Sequence, residues 1–260
     1  YDEAVYLVLH TLALPLDRLE PFLDACIPGD EREDILEVIE KRAVDRLPAA
    51  YITGEAWLGE FRFEVDKRVI IPRSYFAELL HDGFSPWVQD PEAVTAAMDM
   101  CTGSGCLAIL MAFAFPNAEI VAVDISQDAL DVAAANIAAY GLEDRIRLVK
   151  SDGFAQVPEQ RFDFILSNPP YVTREAMDAL PAEYLHEPGL ALGSGEDGLD
   201  LVRKLLADAP RFLQPEGLLA IEVGHNREIV EEAFPALSPT WLSAPSGDDK
   251  IFVLEAGQLL

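Results

Sequence analysis

The sequence predicts an α/β protein built on a doubly wound, mostly parallel sheet. Two observations predict this fold class. From about residue 92 onward, strand-like segments alternate with helical segments, and such alternation is typical of a parallel sheet covered by helices on both faces. The last two strand-like segments, residues 240–243 and 251–255, follow one another without a helix, which indicates an antiparallel pair at one end of the sheet.

Residues 1–50 are predicted to form a small helical domain. Apolar residues recur at helical spacing between Ile35 and Leu47, as they do on the buried face of an amphipathic helix. Prolines and the Pro28-Gly29 pair punctuate the earlier part of this region, so we expect it to be divided into separate helices.

Residues 51–72 are predicted to form a β-hairpin that links the helical domain to the rest of the chain. Apolar and charged side chains alternate over residues 61–65, which is the period of a half-buried strand. Asp66 and Lys67 would then turn the chain into a second strand at residues 69–71.

The third and largest domain is predicted to span residues 73–260. Its apolar periodicity predicts strands at residues 94–100, 119–123, 146–149, 162–166, 217–223, 240–243 and 251–255. It predicts helices at residues 106–115, 127–140, 199–212 and 227–234. Gly141 would end the second of these helices, because glycine readily adopts the left-handed conformation of a helix cap.

The chain is strongly acidic. It has 19 basic and 46 acidic residues among 260, and its formal net charge is −27. Such a charge repels a phosphate backbone, so we expect no tight binding to nucleic acid. It would instead attract a strongly basic protein by long-range steering. The alternative is an acidic surface that serves only solubility.

Cysteine usage and hydropathy bear on the environment of the protein. Cys26, Cys101 and Cys106 are too few for a disulfide framework and lack the spacing of a zinc site. We therefore expect reduced thiols, no bound metal and a cytoplasmic location. The longest apolar run, residues 106–115, is too short to span a bilayer. Because the chain begins at Tyr1 and not at Met, we also expect a further segment before it.

A glycine-containing turn follows the first predicted strand of the large domain. Residues 99–105 read Asp-Met-Cys-Thr-Gly-Ser-Gly, and Gly103 and Gly105 would allow the backbone to approach a ligand closely. Asp124 ends the second strand, where its carboxylate can accept hydrogen bonds from both ribose hydroxyls of an adenosine. The missing third glycine disfavours a pyrophosphate ligand. The alternative is a turn that only packs helix against sheet.

A second candidate for adenosine binding follows the third strand. Residues 151–154 read Ser-Asp-Gly-Phe. Asp152 could accept a hydrogen bond from the adenine amine, and Phe154 could pack on the adenine ring. For Phe154 the alternative is a place in the hydrophobic core.

The most specific motif is Asn168-Pro169-Pro170-Tyr171, directly after the predicted strand at residues 162–166. A planar amide nitrogen is a weak nucleophile, and its two N–H groups need acceptors when it is buried. The Asn168 side-chain oxygen and the Pro169 carbonyl could each accept one, which would position the nitrogen before a sulfonium methyl group. The prolines restrict the backbone, and Tyr171 offers an aromatic face to the cation. The alternative is a rigid turn.

With these motifs the chain resembles the protein-glutamine N5-methyltransferases. Residues 99–105, Asp124, residues 151–152 and residues 168–171 match the order and spacing of that family, and the resemblance covers essentially the whole chain. It implies a Rossmann-like, seven-stranded class I methyltransferase domain that uses S-adenosyl-L-methionine. It also implies the small helical domain and the hairpin linker before it.

Further similarities indicate the branch of the family that acts on ribosomal protein L3. They lie at residues 55–57, 71–74 with Glu78, 186–188, 195–200 and 222–224. The branch that acts on peptide-chain release factors usually has Pro-Arg-Pro-Asp-Thr-Glu, where this chain has Pro-Arg-Ser-Tyr-Phe-Ala-Glu. The resemblance therefore implies ribosomal protein L3 as the basic protein substrate, with a release factor as the alternative.

The resemblance also assigns roles to individual residues. The cofactor would contact Cys101, Thr102, Gly103, Ser104, Gly105, Asp124, Ile125, Asp152, Gly153, Phe154 and Asn168. The catalytic residues would be Asn168, Pro169, Pro170 and Tyr171, and these four together with Arg73 would bind the substrate. For Arg73 the alternative is a simple ion pair with an acidic neighbour.

Three other classes of protein share parts of this pattern. Enzymes that methylate the exocyclic amine of adenine or cytosine use similar Asn-Pro-Pro-Tyr motifs, but they flip the base and usually carry a basic recognition element, of which the sequence shows no sign. A binding module without turnover would not need an intact Asn168. A dinucleotide oxidoreductase would leave residues 168–171 without a role.

Overall fold

The computed structural model describes residues 2–259, and its N-terminal part is helical. The helices there are α1 (Asp2–Thr11), α2 (Gly29–Ala43) and α3 (Ala49–Thr53). Helix α1 buries Leu7 and Leu9, whereas no residue of α2 is buried, so α2 packs on α1 and α3 as an outer layer. The predicted helical character of this region is confirmed. The domain boundary at residue 50 stays a prediction.

A two-stranded antiparallel hairpin follows the helices. It consists of β1 (Glu55–Leu58) and β2 (Phe61–Glu64), with Leu58 paired to Phe61 across the turn. Gly59 in that turn has a φ of +62°, a conformation that glycine adopts without steric cost. The alternation of residues 61–65 therefore located β2 correctly, but the partner strand lies before it and not after it.

The predicted turn into a second strand at residues 69–71 was wrong. The Asp66 carboxylate accepts a hydrogen bond from the backbone N–H of Arg68, and the Asp66 carbonyl accepts one from Val69. These bonds close a local turn, after which the chain continues without regular structure toward the large domain. A short apolar run is compatible with either outcome, because nothing local specifies the partner of a strand.

The large domain is a seven-stranded sheet flanked by helices. Its strands are β3 (Ala96–Met100), β4 (Glu119–Asp124), β5 (Ile146–Lys150), β6 (Phe162–Ser167), β7 (Leu213–Glu222), β8 (Thr240–Ala244) and β9 (Gly247–Glu255). Its helices are α4 (Phe76–His81), α5 (Cys106–Ala114), α6 (Gln127–Ala139), α7 (Arg174–Met177), α8 (Asp200–Phe212) and α9 (Arg227–Ala233). Of these, the short helices α4 and α7 were not predicted.

The strand order is β5-β4-β3-β6-β7-β9-β8. The first five strands in this order, β5, β4, β3, β6 and β7, run parallel to one another. Strand β9 is antiparallel to both of its neighbours, β7 and β8. The predicted doubly wound sheet with an antiparallel final pair is therefore confirmed. Strands β7 and β9 each begin four residues before the predicted start. In β7 the first residue, Leu213, pairs with Phe162 before an irregularity in the ladder.

Two hydrophobic cores cover the two faces of the sheet. Helices α4, α5 and α6 pack on one face together with the hairpin, and α8 packs on the other. Residues 97–100 of β3 are buried because this strand lies at the centre of both layers. The carboxyl ends of β3, β4 and β6 are consequently held side by side at one edge of the sheet.

Two kinds of feature are absent from residues 2–259. No helix in this range has the length and hydropathy needed to cross a bilayer. No group of three or more His, Cys, Asp or Glu side chains in it comes together in a way that could hold a metal ion.

Candidate active site

A cavity of about 1740 Å³ opens at the carboxyl ends of β3, β4 and β6. Most of the predicted site residues line it: Arg73, Cys101, Thr102, Gly103, Ser104, Asp124, Ile125, Asp152, Gly153, Asn168, Pro169, Pro170 and Tyr171. The structure thus brings together residues from five separate parts of the chain. Gly105 and Phe154 are not among the lining residues.

The loop after β3 follows the backbone of β4 closely. The N–H groups of Cys101 and Thr102 both donate to the carbonyl of Val123. Cys101 has a φ of +70° and Gly103 one of +55°, so the loop twice enters the left-handed region that favours glycine. This path turns the backbone of the loop toward the cavity.

Gly105 has a packing role. Its φ is +80°, and a Cβ at this position would lie 3.1 Å from the Cβ of Ala133. Only glycine allows α5 to begin so close to α6. This packing of helix on helix differs from the helix-against-sheet alternative, and cofactor contact by Gly105 stays a prediction.

Asp99 is a buried carboxylate beneath the loop. The Thr102 hydroxyl donates to one of its oxygens at 2.6 Å, and the other oxygen finds no hydrogen-bond partner among the described residues. Burial raises the pKa of Asp99 to about 7, since the charged form loses its hydration. In the sequence Asp99 is only the first residue of the glycine-containing turn, and nothing there predicts its bond to Thr102.

Asp124 connects the loop to the end of β4. Its two oxygens accept backbone N–H groups of Gly103 and Ser126, each at 2.9 Å. Burial raises the pKa of Asp124, and the backbone hydrogen bonds act against that rise. Each carboxylate oxygen has more than one lone pair, so the group is oriented by the backbone and can still accept hydrogen bonds from a ligand.

Asp152 lies at the cavity wall as predicted, whereas Phe154 does not line the cavity. Asp152 is exposed at the cavity wall, where both of its oxygens pair with the ammonium group of Lys204 at 2.9 and 3.1 Å. Phe154 is buried in the second core and stacks on Phe212, with ring centroids 4.6 Å apart. The core alternative therefore describes Phe154, and an adenine contact is not supported for it. The sequence contained no signal for the Lys204 pair.

Asn168 lies at the end of β6 with its amide oriented by the segment before α4. Its Nδ2 donates to the backbone carbonyl of Arg73 at 3.3 Å. A carbonyl can only accept, so the nitrogen must face Arg73 and the Oδ1 atom must face away from it. Pro169, the next residue, is buried. The side chain of Asn168 is therefore held in one orientation before any ligand binds.

Tyr171 is confined by residues that the sequence analysis had not connected to it. Asn226 Nδ2 donates to its carbonyl at 2.6 Å. A Cβ on Gly224 would lie 2.7 Å from its ring, and a Cβ on Gly198 would lie 2.2 Å from its carbonyl oxygen. Burial raises the pKa of the Tyr171 phenol, which therefore stays neutral. The motif is held in place by contacts from the segments that precede and follow α8.

The side chain of Arg73 is already engaged. Its two terminal nitrogens each contact one oxygen of Glu187 at 2.6 Å, and its guanidinium lies 5.1 Å from the ring centroid of Tyr184. Next to it, the Ser74 hydroxyl donates to Glu222 at 2.5 Å. The ion-pair alternative for Arg73 thus holds, and its proposed contact with substrate stays a prediction.

The fold and this cavity define a class I methyltransferase. Residues 88–195 match the protein family described as Methyltransferase small domain. The fold is similar to that of a methyltransferase from Pyrococcus furiosus, with a TM-score of 0.53 and 19% identity over 88% of this chain and 99% of that one. It is also similar to the hMettl16 catalytic domain in complex with MAT2A 3'UTR hairpin 6, with a TM-score of 0.58 and 14% identity over 87% of this chain and 81% of that one.

Curated relatives narrow this class further. Proteins described as ribosomal protein uL3 glutamine methyltransferase are 57% identical in Neisseria gonorrhoeae, 56% in Bordetella pertussis and 53% in Burkholderia pseudomallei. Each match covers 100% of this chain and 87% of the relative. The chain belongs to the family of ribosomal protein uL3 glutamine methyltransferases. The resemblance inferred from the motifs and the prediction of a methyltransferase are thereby confirmed.

Proposed function

We propose that this protein transfers the methyl group of S-adenosyl-L-methionine to the side-chain amide nitrogen of a glutamine in ribosomal protein uL3. The observation that carries the proposal is the fixed orientation of Asn168, whose nitrogen is bound to the Arg73 carbonyl. This leaves the Oδ1 atom to accept a hydrogen bond in the cavity. The names of the relatives at 53–57% identity support the substrate.

The cavity wall formed by β3 and β4 fits the cofactor. When bound, S-adenosyl-L-methionine supplies an electrophilic methyl group on a cationic sulfur. The loop at residues 101–104 would line its methionine and ribose parts, and Asp124, oriented by two backbone N–H groups, would accept the ribose hydroxyls. Ile125, an exposed side chain at the wall, would cover the adenosine, with Asp152 and Gly153 beyond it.

The substrate amide would lie between this wall and residues 168–171. The Asn168 Oδ1 atom and the Pro169 carbonyl would accept the two N–H groups, which holds the nitrogen in place and directs its lone pair at the methyl carbon. The C–S bond breaks as the N–C bond forms, and the nitrogen then loses one of its protons to water. Tyr171 is neutral and confined, so it would contribute an aromatic face and not a charge.

The charge of the chain suits the proposed partner. A net charge of −27 favours encounter with a basic ribosomal protein and disfavours tight contact with free nucleic acid. We propose a cytoplasmic location on the same ground, because a ribosomal protein is the substrate.

The test is a side-by-side methylation assay. Purified uL3, a peptide-chain release factor and an RNA substrate are incubated with the enzyme and with cofactor that carries an isotope label in its methyl group. We expect label in uL3 alone, and tandem mass spectrometry is expected to locate it on one glutamine. Label in the release factor or the RNA, with none in uL3, would refute the assignment.

A further inference from the structure

Residues 73–75 lie between two buried carboxylates that come from distant parts of the chain. Glu187, whose side chain is 4% exposed, binds the guanidinium of Arg73 through two hydrogen bonds of 2.6 Å. Glu222, which is 1% exposed, accepts the Ser74 hydroxyl at 2.5 Å and the Tyr75 N–H at 3.1 Å. Both carboxylates thus hold the same short segment.

The segment has one direct contact with the proposed acceptor site. The carbonyl of Arg73 accepts a hydrogen bond from the Nδ2 atom of Asn168 at 3.3 Å. Because Nδ2 and Oδ1 lie on opposite sides of the planar amide, the position of this carbonyl sets the direction of the Asn168 oxygen. Segments without regular structure lack a hydrogen-bond ladder of their own. The two carboxylates supply the contacts that an element of regular structure would otherwise provide.

Glu187 is the partner that holds the residue carrying this carbonyl. Burial of a carboxylate is costly unless it is paired with good geometry, and the two parallel bonds to Arg73 are the strongest pairing that an arginine offers. The bonds to Glu187 use two of the five N–H donors of the guanidinium, and they fix the side chain of Arg73 in one position. The backbone carbonyl of Arg73 is the part of this residue that contacts Asn168.

We infer that Glu187 is a positioning residue for the methyl-transfer reaction. It fixes Arg73, and the Arg73 carbonyl in turn orients Asn168 toward the substrate glutamine. This inference deepens the proposed function and rests on it.

The test replaces Glu187 by glutamine, which keeps the shape of the side chain but removes its charge. We expect kcat to fall about tenfold or more, since small displacements of reacting groups are costly, while the Kd for the cofactor and the KM for uL3 stay within about threefold. Glu183→Gln is the matched control. Glu183 lies in the short 3₁₀ helix Ala182–His186, directly before Glu187, and pairs with Arg42 and Arg46. Loss of its charge should therefore leave kcat unchanged.

A double-mutant cycle separates positioning from a purely structural role. If Glu187 acts through Asn168, the Glu187→Gln change should have little further effect on single-turnover rates once Asn168 is alanine, because interacting residues are not additive. If the fold-reductions in single-turnover rate of the two single variants multiply fully in the double variant, the inference is overturned. Unchanged kcat in Glu187→Gln would do the same.

Two measurements distinguish loss of positioning from loss of the fold and from failure of the proposed function. Thermal unfolding of each variant shows whether the fold survives; if Glu187→Gln does not fold, Glu187→Asp keeps the charge but shortens the reach and is expected to show the same fall in kcat. Full activity in that folded variant would overturn the inference. A wild-type enzyme that leaves uL3 unlabelled would refute the proposed function itself, whatever the variants do.

Discussion

Replacement of Asn168 by alanine is expected to abolish most methyl transfer while it leaves cofactor affinity within a few-fold. In the wild-type protein the Nδ2 atom is held by the Arg73 carbonyl, and in the proposed mechanism the opposite oxygen accepts one N–H of the substrate amide. Alanine removes that acceptor without touching Asp124 or the loop after β3. The change therefore separates positioning of the substrate from binding of the cofactor.

The expected magnitude follows from the hydrogen bonds that are lost. One hydrogen bond contributes about 1 kcal/mol, and a substrate N–H left unsatisfied in a buried site costs about 1–3 kcal/mol. The sum of about 2–4 kcal/mol corresponds to a fall in kcat/KM of about 30-fold to 1000-fold. A fall of about a hundredfold lies within this range.

The assay is single-turnover transfer of a labelled methyl group to uL3, with calorimetry for the cofactor. Asn117→Ala is a matched control, because the Asn117 Nδ2 also donates to a backbone carbonyl, that of Glu92 at 2.9 Å, but at an exposed site. Asn168→Asp tests orientation, since an oxygen in place of the nitrogen would repel the Arg73 carbonyl and should be as harmful as alanine. Near-normal turnover of Asn168→Ala would refute the reasoning.

Three further predictions concern other parts of the site. Asp124→Ala is expected to weaken cofactor binding by about 1–3 kcal/mol, the effect of losing a charged acceptor, as measured by calorimetry. Burial raises the pKa of Glu222 from 4.5 to about 7, so the folded protein holds this proton more tightly than the unfolded chain does. The free energy of unfolding should therefore fall as pH rises from 4.5 to about 7 and level off above that, and Glu222→Gln should remove up to about 3 kcal/mol of this pH dependence in denaturant titrations. Gly224→Ala should displace the Tyr171 ring, which a Cβ would approach to 2.7 Å, and lower kcat by about tenfold or more.

Each of these predictions has a control or an opposing result. Asp128, an exposed carboxylate in the first turn of α6, can be changed to alanine without an expected change in cofactor Kd. Gly29→Ala meets no atom within 4 Å and should be neutral for kcat. If Glu222→Gln shows the same pH dependence of unfolding as the wild type, the raised pKa is not the cause. An unchanged cofactor Kd for Asp124→Ala would remove Asp124 from the site.

Local pattern predicted the parts of this protein whose causes are local. The apolar runs that predicted β4 and β6 reflect burial along a single strand. Asp124 ends β4 and Asn168 follows β6, and the two residues lie at the same edge because the strands are parallel. The Asn-Pro-Pro-Tyr motif is contiguous, so its chemistry can be inferred from adjacent residues alone.

The contacts that orient the site could not be predicted in the same way. Arg73 and Glu187 are 114 residues apart, and Asn226 is 55 residues from the Tyr171 carbonyl that it binds. No spacing along one strand or helix relates such pairs. The hairpin was misplaced for a similar reason, since residues 69–71 resemble a strand in composition but have no partner to pair with.

The position of β3 between β4 and β6 sets a length scale for the reaction. Neighbouring strands are spaced by about 4.8 Å, so the tips of β4 and β6 are about 10 Å apart. A nucleoside whose sugar is held at one tip must present its reactive atom within that span in order to meet an acceptor held at the other. A sulfonium group attached directly to the ribose satisfies this requirement, whereas a reactive group carried beyond a diphosphate would lie too far from the sugar. The single strand between β4 and β6 thus sets the distance between the methyl donor and the acceptor nitrogen.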